Sequence, residues 1–289
     1  MSEAINVNTT PLVKTWRGEL VKRRHLNWTT LWSGGVVVVV VLAIIFPSLL
    51  ATNDPLDLSV KDRLKPPSGE HWFGTDGAGR DIYSRMVYGA RYSIGMTLLV
   101  VLSAAAIGTM WGGLAGFLGG RTDQVMMRLV DIFLAFPYFI LALAVASALG
   151  RGMTSAVLAL VLVWWPGYAR MIRGQVLSIK KDLFVEAARA TGVPEWRIIL
   201  RHILPQTTTE LNARITLDLG YVLLALTGLS FLGLGAQNPT PEWGVMVADS
   251  RLIIFRAWWY GVLPGLVIFL TVLAFMTFGD TVVERQFRR

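Results

Sequence analysis

The sequence predicts an all-α membrane protein with six transmembrane helices. Hydrophobic residues make up 54% of its 289 positions and charged residues only 16%, against about 25% charged residues in a soluble domain. Six long stretches contain no Asp, Glu, Lys or Arg, and each supplies roughly the 20 apolar residues that cross a bilayer as a helix. These stretches are continuously apolar and do not alternate every second residue, which argues against an outer-membrane barrel.

The predicted spans follow the charge-free stretches in order. They cover residues 31–51, 92–120, 132–150, 152–169, 215–237 and 257–279. Only Arg151, between two glycines, separates the third span from the fourth, so a tight turn is expected there. The first span could instead be a signal peptide, since basic residues precede it. However, its uncharged stretch is longer than a signal-peptide core of about 7–15 residues and lacks a small-residue cleavage site, so an uncleaved span is expected.

Lysine and arginine are distributed unevenly between the two sides of this topology. Six spans place both termini on one side, and 18 of the 27 basic residues lie in the termini and connections of that side. Because cytoplasmic connections are richer in basic residues, both termini are predicted to be cytoplasmic. The predicted cytoplasmic parts are 1–30, a connection around 121–131, 170–214 and 280–289, and the predicted external parts are 52–91 and 238–256.

The residue types argue against several functions. No Asp, Glu, Lys or Arg lies in the middle of a predicted span, which is unlike a transporter with its own proton relay. No G-x-x-x-x-G-K-[ST] motif is present, so energy for uphill transport must come from another subunit. With no cysteine and three scattered histidines, no metal site is expected. The basic residues lie between apolar spans, which is unlike a nucleic-acid-binding face.

The second span carries glycines four residues apart. They are Gly108, Gly112, Gly116 and Gly120. On a helix such a stripe allows close approach of another backbone. Either ordinary helix packing or contact with a helix of a partner subunit would explain it.

Two external segments are expected to be structured. Residues 74–95 begin with turn residues and then place Ile82, Met86 and Val87 at helical spacing, with Asp81 and Arg85 four apart. An amphipathic helix on the outer surface, leading into the second span, is predicted there. Residues 235–247 contain two prolines and a glutamate, and such non-helical backbone requires a cover of protein or a watery cavity.

The charged, small-residue-rich stretch EAARATGVPEWRIILRHILP, residues 186–205, lies between two apolar runs. Its first residues favour a short helix. Gly192 is expected to form a turn with positive φ, and Pro194 to interrupt the helix before a second one begins at about Glu195. Leu204 and Pro205 are expected to end that second helix. The residues alone leave two alternatives open, a docking surface for another protein and a solvated basic loop.

The same stretch resembles the EAA loop of ABC-importer inner-membrane permeases, E-A-A-x3-G-x9-I-x-L-P. His202 occupies the position of the isoleucine, which departs from the general pattern. Three further stretches resemble the dipeptide, oligopeptide and nickel subgroup: HWFGTDGAGRDIYSRMVYGARYSIG, DIFLAFP and LSFLGLGAQNPTPEWGVMV, at 71–95, 131–137 and 229–247. Together these stretches resemble the second, or C-type, permease of such importers.

The resemblance implies a type I ABC-importer permease fold, with a core over about 90–280, in the bacterial inner membrane. It implies a B-type permease partner, two P-loop ATPase subunits that hold ATP and Mg, a periplasmic substrate-binding protein, and no catalysis in this chain. The implied ATPase-coupling residues are Glu186, Ala187, Ala188, Arg189, Ala190, Gly192, Leu204 and Pro205. Arg189 and Arg197 could donate ion pairs to the ATPase or simply be solvated.

The cargo implied by the resemblance is a peptide or a similar small solute. A nickel, opine or glutathione-like solute is the alternative, and the substrate-binding residues are not predicted. An ATPase-independent channel and a membrane scaffold that only recruits a cytoplasmic protein are the rival functions. Neither rival explains the external stretches.

Overall fold

The computed structural model describes residues 28–287, and the described part is helical without a strand. Most of the predicted N-terminal segment 1–30 and the last two residues of the tail therefore lie outside the described residues. The helices are α1 Trp28–Ile45, α2 Pro47–Leu50, α3 Ile82–Leu118, α4 Gly120–Leu134, α5 Tyr138–Leu149, α6 Met153–Ile179, α7 Leu183–Ala190, α8 Glu195–Ile198, α9 Thr208–Phe231, α10 Trp243–Ser250 and α11 Trp258–Phe287. The all-α prediction is confirmed.

Four helical runs in the described part are long and apolar enough to cross a membrane. They are α3, α6, the run Glu195–Phe231 that contains α8 and α9, and Trp258–Gly279 within α11. A fifth span results if α4 and α5, bent by 88°, count as one. The predicted first span, 31–51, is an apolar helix that ends earlier, at Ile45, because Pro47 starts a new short helix and supplies no N–H to the preceding one. Six spans are reached only by counting this helix and the bent pair.

One 37-residue helix, α3, replaces the predicted surface helix and second span. Asp81 caps its start by accepting a hydrogen bond from Ser84 N at 2.8 Å, and Gly119, with φ +66°, ends it. At 1.5 Å per residue the helix is about 55 Å long, so it extends well beyond about 30 Å of hydrocarbon. The prediction of a separate helix lying on the membrane is wrong, because no helix-breaking residue separates the two parts.

The third predicted span, 132–150, is not one helix. Its first residues belong to α4, which also takes up the predicted connection 121–131, and Pro137 caps the start of α5 after the bend. The fourth span is longer than predicted, since α6 runs on from residue 169 to Ile179. The charge-free stretch ends at residue 169, but the helix continues beyond it with charged side chains.

The glycine stripe of α3 packs against α6 of the same chain. A Cβ added to Gly108 would lie 2.4 Å from Tyr168 Cβ, and one added to Gly112 would lie 2.2 Å from Ala169 O. Gly116 also faces α6, where Arg173 O would be 3.0 Å away. These three glycines therefore serve ordinary packing within the chain, and the partner-subunit alternative is not needed for them. Gly120 does not belong to the stripe: it lies beyond α3 with φ +58° and nothing within 4 Å of an added Cβ.

Candidate functional site

The first of the two short helices in the EAA-like stretch is built as the sequence predicts. We call residues 182–207, from the start of α7 to the start of α9, the knob. Helix α7 ends in a Schellman turn, in which Val193 N donates to Ala188 O at 3.1 Å and Gly192 N to Arg189 O at 3.0 Å. Gly192 takes the left-handed conformation with φ +78°. This turn sets the direction in which α8 leaves α7.

An ion pair joins the two helices across the turn. Arg189 Nε donates to Glu195 Oε1 at 3.0 Å, so this guanidinium is engaged within the chain. The guanidinium carbon of Arg197 lies 5.2 Å from the centre of the Trp196 ring, where a cation–π contact is favourable. Of the two arginines predicted as possible donors to the ATPase, Arg189 is therefore already paired with Glu195 of the same chain.

The second helix does not end at Leu204 and Pro205, contrary to the prediction. After α8 the backbone forms a π turn over Ile199–Ile203 and a 3₁₀ turn over Leu204–Thr207, and then continues as α9. Pro205 has no N–H and its ring clashes with an ordinary α-helical turn, and the wide and narrow turns accommodate it without breaking the helix. The knob therefore runs directly into a membrane span.

Buried aliphatic side chains fix the knob to the membrane helices. Val185, Ile198 and Ile203 are fully buried in a cluster with residues of α3 and α6. Their partners are Phe117, Ile172 and Val176. Burial of each such side chain contributes roughly 1.5–3 kcal/mol. A displacement of the knob must therefore move α6 and α9 as well.

The exposed surface of the knob carries three large apolar side chains. Leu183 is 82% exposed, Trp196 59% and Leu200 60%, and sequence reasoning identified none of them. Exposed apolar patches bordered by polar residues are typical of protein interfaces. The predicted residues Glu186, Ala187, Ala190, Gly192 and Pro205 are exposed on the same segment, whereas Ala188 and Arg189 are half-buried.

One predicted coupling residue points away from this face. Leu204 is half-buried, and its Cδ2 would be 3.3 Å from a Cβ added to Gly113 of α3. Leu204 therefore anchors the knob against α3 and does not form part of its exposed surface.

Most of the segment 235–247 is covered by protein, whereas Gln237, Asn238 and Pro239 are exposed. Glu242, buried at the start of α10, accepts hydrogen bonds from Ser93 Oγ at 3.2 Å and from Val245 N at 3.0 Å. Trp243 Nε1 donates to Met86 O at 2.9 Å. Burial raises the pKa of the Glu242 carboxyl above its ordinary value. These contacts fasten α10 to α3 at the end predicted to be external.

No group of three or more His, Cys, Asp or Glu side chains within the described residues could hold a metal ion. In the same part of the chain, the knob and the segment around α10 are the two specialised regions, at opposite ends of the predicted topology.

Solved structures share the fold. Residues amounting to 70% of this chain superpose on 95% of the chain in inward-facing conformations of the MetNI methionine ABC transporter, with a TM-score of 0.57 and 21% identity. A second crystal form of that transporter matches with a TM-score of 0.55 and 23% identity over 70% of this chain and 96% of that chain. At these identities the likeness concerns the fold alone.

Curated relatives are much closer in sequence. The probable D,D-dipeptide transport system permease protein DdpC of Escherichia coli (strain K12) is 43% identical over 87% of this chain and 84% of its own. The dipeptide permease DppC of Alkalihalophilus pseudofirmus is 40% identical over 93% and 88%. The glutathione permease GsiD of Escherichia coli O6:K15:H31 is 40% identical over 94% and 88%.

A family model, binding-protein-dependent transport system inner membrane component, matches residues 108–289. That range contains the knob, α10 and most of the membrane helices. Components of this kind are multi-pass inner-membrane proteins that work with a second permease, ATPase subunits and a substrate-binding protein. The chain belongs to this family and is a permease subunit of an ABC importer.

Proposed function

We propose that this chain is the C-type permease of an importer of short peptides or similar small solutes. It forms half of the pathway with a B-type permease, and two ATPase subunits drive it. The names of the relatives support this cargo, since D,D-dipeptides, dipeptides and glutathione are all short peptides.

In this proposal the knob is the docking surface for one ATPase subunit. The observation that carries it is the combination of an uncovered apolar face with a rigid attachment. Leu183, Trp196 and Leu200 offer apolar area to a partner, while Val185, Ile198 and Ile203 lock the knob to the membrane helices. A movement of the ATPase would therefore pass through α8 into the helical run Glu195–Phe231 without any titrating group.

The same proposal places the knob and both termini in the cytoplasm. The asymmetry of basic residues supports this orientation, and an ATPase requires it. The segment 52–81 and α10 then face the periplasm, where the substrate-binding protein delivers its cargo.

A substitution at Gly192 tests the docking role. Gly192→Val should strain the left-handed turn by about 1–2 kcal/mol and tilt α7 against α8, although an added Cβ meets nothing within 4 Å. We expect normal membrane levels and normal pairing with the partner permease, but loss of ATPase association and of binding-protein-stimulated ATP hydrolysis. Gly192→Asn is the matched control, because asparagine tolerates positive φ, and it should retain most activity.

Glu186→Lys should act in the same direction as Gly192→Val. Glu186 lies in the first turn of α7, where the helix dipole favours an anion. The assembled importer would be co-purified and its ATPase rate measured with liganded binding protein. Full stimulated activity in both Gly192→Val and Glu186→Lys would show that the knob is not the docking surface for the ATPase.

The cargo is tested separately. Cells that depend on this importer should take up labelled dipeptides, and unlabelled dipeptides or glutathione should compete. Uptake of nickel without competition by any peptide would contradict the proposed cargo but not the docking role.

A further inference from the structure

A cavity of about 260 Å³ opens near the end of the molecule that carries α10. Its walls come from the turn between α5 and α6, the end of α9, and α10 with the residue that follows it. The polar lining includes Arg151, Ser230, Gln237, Asn238, Asp249 and Arg251. None of these residues belongs to the knob, and the docking role does not use them.

Asp249 presents a carboxylate that is bound by neutral donors. Asn238 Nδ2 donates to its two oxygens at 2.9 and 2.8 Å, and the Tyr260 hydroxyl lies 3.4 Å from Oδ2. Among the side chains that the structure describes up to residue 279, no Lys or Arg nitrogen lies within 4 Å of this carboxylate. An ionised carboxylate has about four acceptor sites, so sites remain for a cation. The charge of Arg85 interacts with that of Asp249 at longer range, but Arg85 Nε lies 3.6 Å from Asp76 Oδ2 and forms its ion pair there.

Two arginines line the same cavity. Arg151 stands between Gly150 and Gly152, both with positive φ, and Gly152 N donates to Leu234 O at 3.1 Å. This bond fixes the turn beside the end of α9. Arg251 directly follows α10. Within the described part of the chain neither guanidinium has a carboxylate within 4 Å, and both are exposed, so each can bind an incoming carboxylate.

A neutral side chain completes the polar lining. Gln237 Nε2 donates to Gly233 O at 3.2 Å and to Gly235 O at 3.0 Å, which directs its amide nitrogen inward to the backbone. Its amide oxygen is left as an acceptor. The cavity therefore combines one carboxylate, two guanidinium groups and one amide acceptor around a space of a few hundred Å³.

We propose that this cavity is a receiving site for zwitterionic solutes that the binding protein releases. Asp249 binds the ammonium group, and Arg151 and Arg251 bind the carboxylate. A short peptide with free termini carries both groups, so the inference rests on the proposed function and assigns the residues that handle that cargo. Charge-assisted hydrogen bonds of this kind are stronger than neutral ones, and they would hold the peptide while the pathway opens.

The test is the number of peptides moved per ATP hydrolysed. The complete importer, with partner permease, ATPases and binding protein, is reconstituted in proteoliposomes and supplied with radiolabelled L-alanyl-L-alanine. In Asp249→Asn, Arg151→Gln and Arg251→Gln we expect uptake to fall about tenfold, the size of one lost charge-assisted hydrogen bond. ATP hydrolysis stimulated by the liganded binding protein should be retained, because the docking surfaces are intact.

Two matched controls lie outside the cavity. Asp57→Asn and Arg256→Gln each remove an exposed charge on the same side of the predicted topology, and they should leave the ratio of peptide to ATP unchanged. If Asp249→Asn fails to assemble, the two arginine variants carry the test, since both side chains are exposed.

An unchanged ratio of peptide to ATP in all assembled variants would overturn the inference. A parallel loss of stimulated ATP hydrolysis would also overturn it, because it would assign these charges to docking of the binding protein. Absence of dipeptide uptake by the wild-type importer would instead contradict the proposed function.

Discussion

Asp123 and Arg173 form a two-point ion pair between α4 and α6. Arg173 Nε donates to Asp123 Oδ1 at 2.8 Å, and Nη2 donates to Oδ2 at 2.6 Å. Asp123 is buried, and Arg173 lies one turn before Val176, which packs against the knob. The pair therefore fixes α4 to the same part of α6 that anchors the knob.

Arg173→Lys should weaken this connection. A lysine ammonium cannot reproduce the two parallel hydrogen bonds of a guanidinium, so we expect the free energy of unfolding to fall by about 1–3 kcal/mol. Arg170→Lys is the control, because the Arg170–Asp131 pair makes one contact and its side chains are 55% and 49% exposed. Arg170→Lys should lower the free energy of unfolding by less than about 1 kcal/mol. Thermal unfolding of the purified importer compares the two, and equal losses would contradict the structural role of the Asp123 pair.

Gly112→Ala should separate α3 from α6. The added methyl group would lie 2.2 Å from Ala169 O, a backbone atom that cannot move alone, so low expression or a large loss of thermal stability is expected. Gly95→Ala in the same helix meets nothing within 4 Å. It should leave stability unchanged or raise it by roughly 0.5–1 kcal/mol, because alanine favours helix over glycine. Equal behaviour of the two variants, read from the amount and melting temperature of purified protein, would show that the contact is not tight.

The membrane helices could be located from the sequence, but their ends could not. A charge-free stretch measures the apolar length, and α3 and α6 continue beyond it with residues such as Arg85, Arg170 and Arg173. Charged side chains outside the bilayer interior are compatible with a helix, so charge does not mark the end of one. The charge pattern does not indicate the bend at Pro137, because this proline lies inside an apolar run.

The backbone turn of the candidate site could be predicted from the sequence, but the side chains that it exposes could not. Gly192 followed by Pro194 indicated the turn, because only a few residue types fit positive φ. The inward direction of Leu204 and the exposure of Leu183 and Trp196 depend on packing against α3 and α6, which a single sequence does not specify. In the same way, a glycine stripe indicates close approach of a helix but not which helix approaches.

The proposed orientation predicts that fusions on the two sides of the membrane behave differently. A reporter that is active only in the cytoplasm should work when fused after Lys181, just before α7, and stay silent when fused after Arg63. The reason is the excess of basic residues on the side of the termini. The opposite pattern would place the knob outside the cell and would remove it from the ATPase side.

Glu242 gives a prediction with a defined pH dependence. Burial raises its pKa above the ordinary 4.5, so its contribution to folding is fully present below about pH 4.5 and is lost as the pH rises through the folded value. Glu242→Gln does not titrate, and its single oxygen leaves Ser93 Oγ or Val245 N without an acceptor, at a cost of about 1 kcal/mol.

The wild type should therefore exceed Glu242→Gln in stability most at acidic pH, and the difference should shrink towards neutral pH. The melting temperatures of the two importers are compared from acidic to neutral pH. Their difference reports the titration of Glu242, because the other titrating groups are common to both. A difference that grew with pH would show that the carboxylate, and not the protonated acid, is the form favoured by the contacts with Ser93 and Val245.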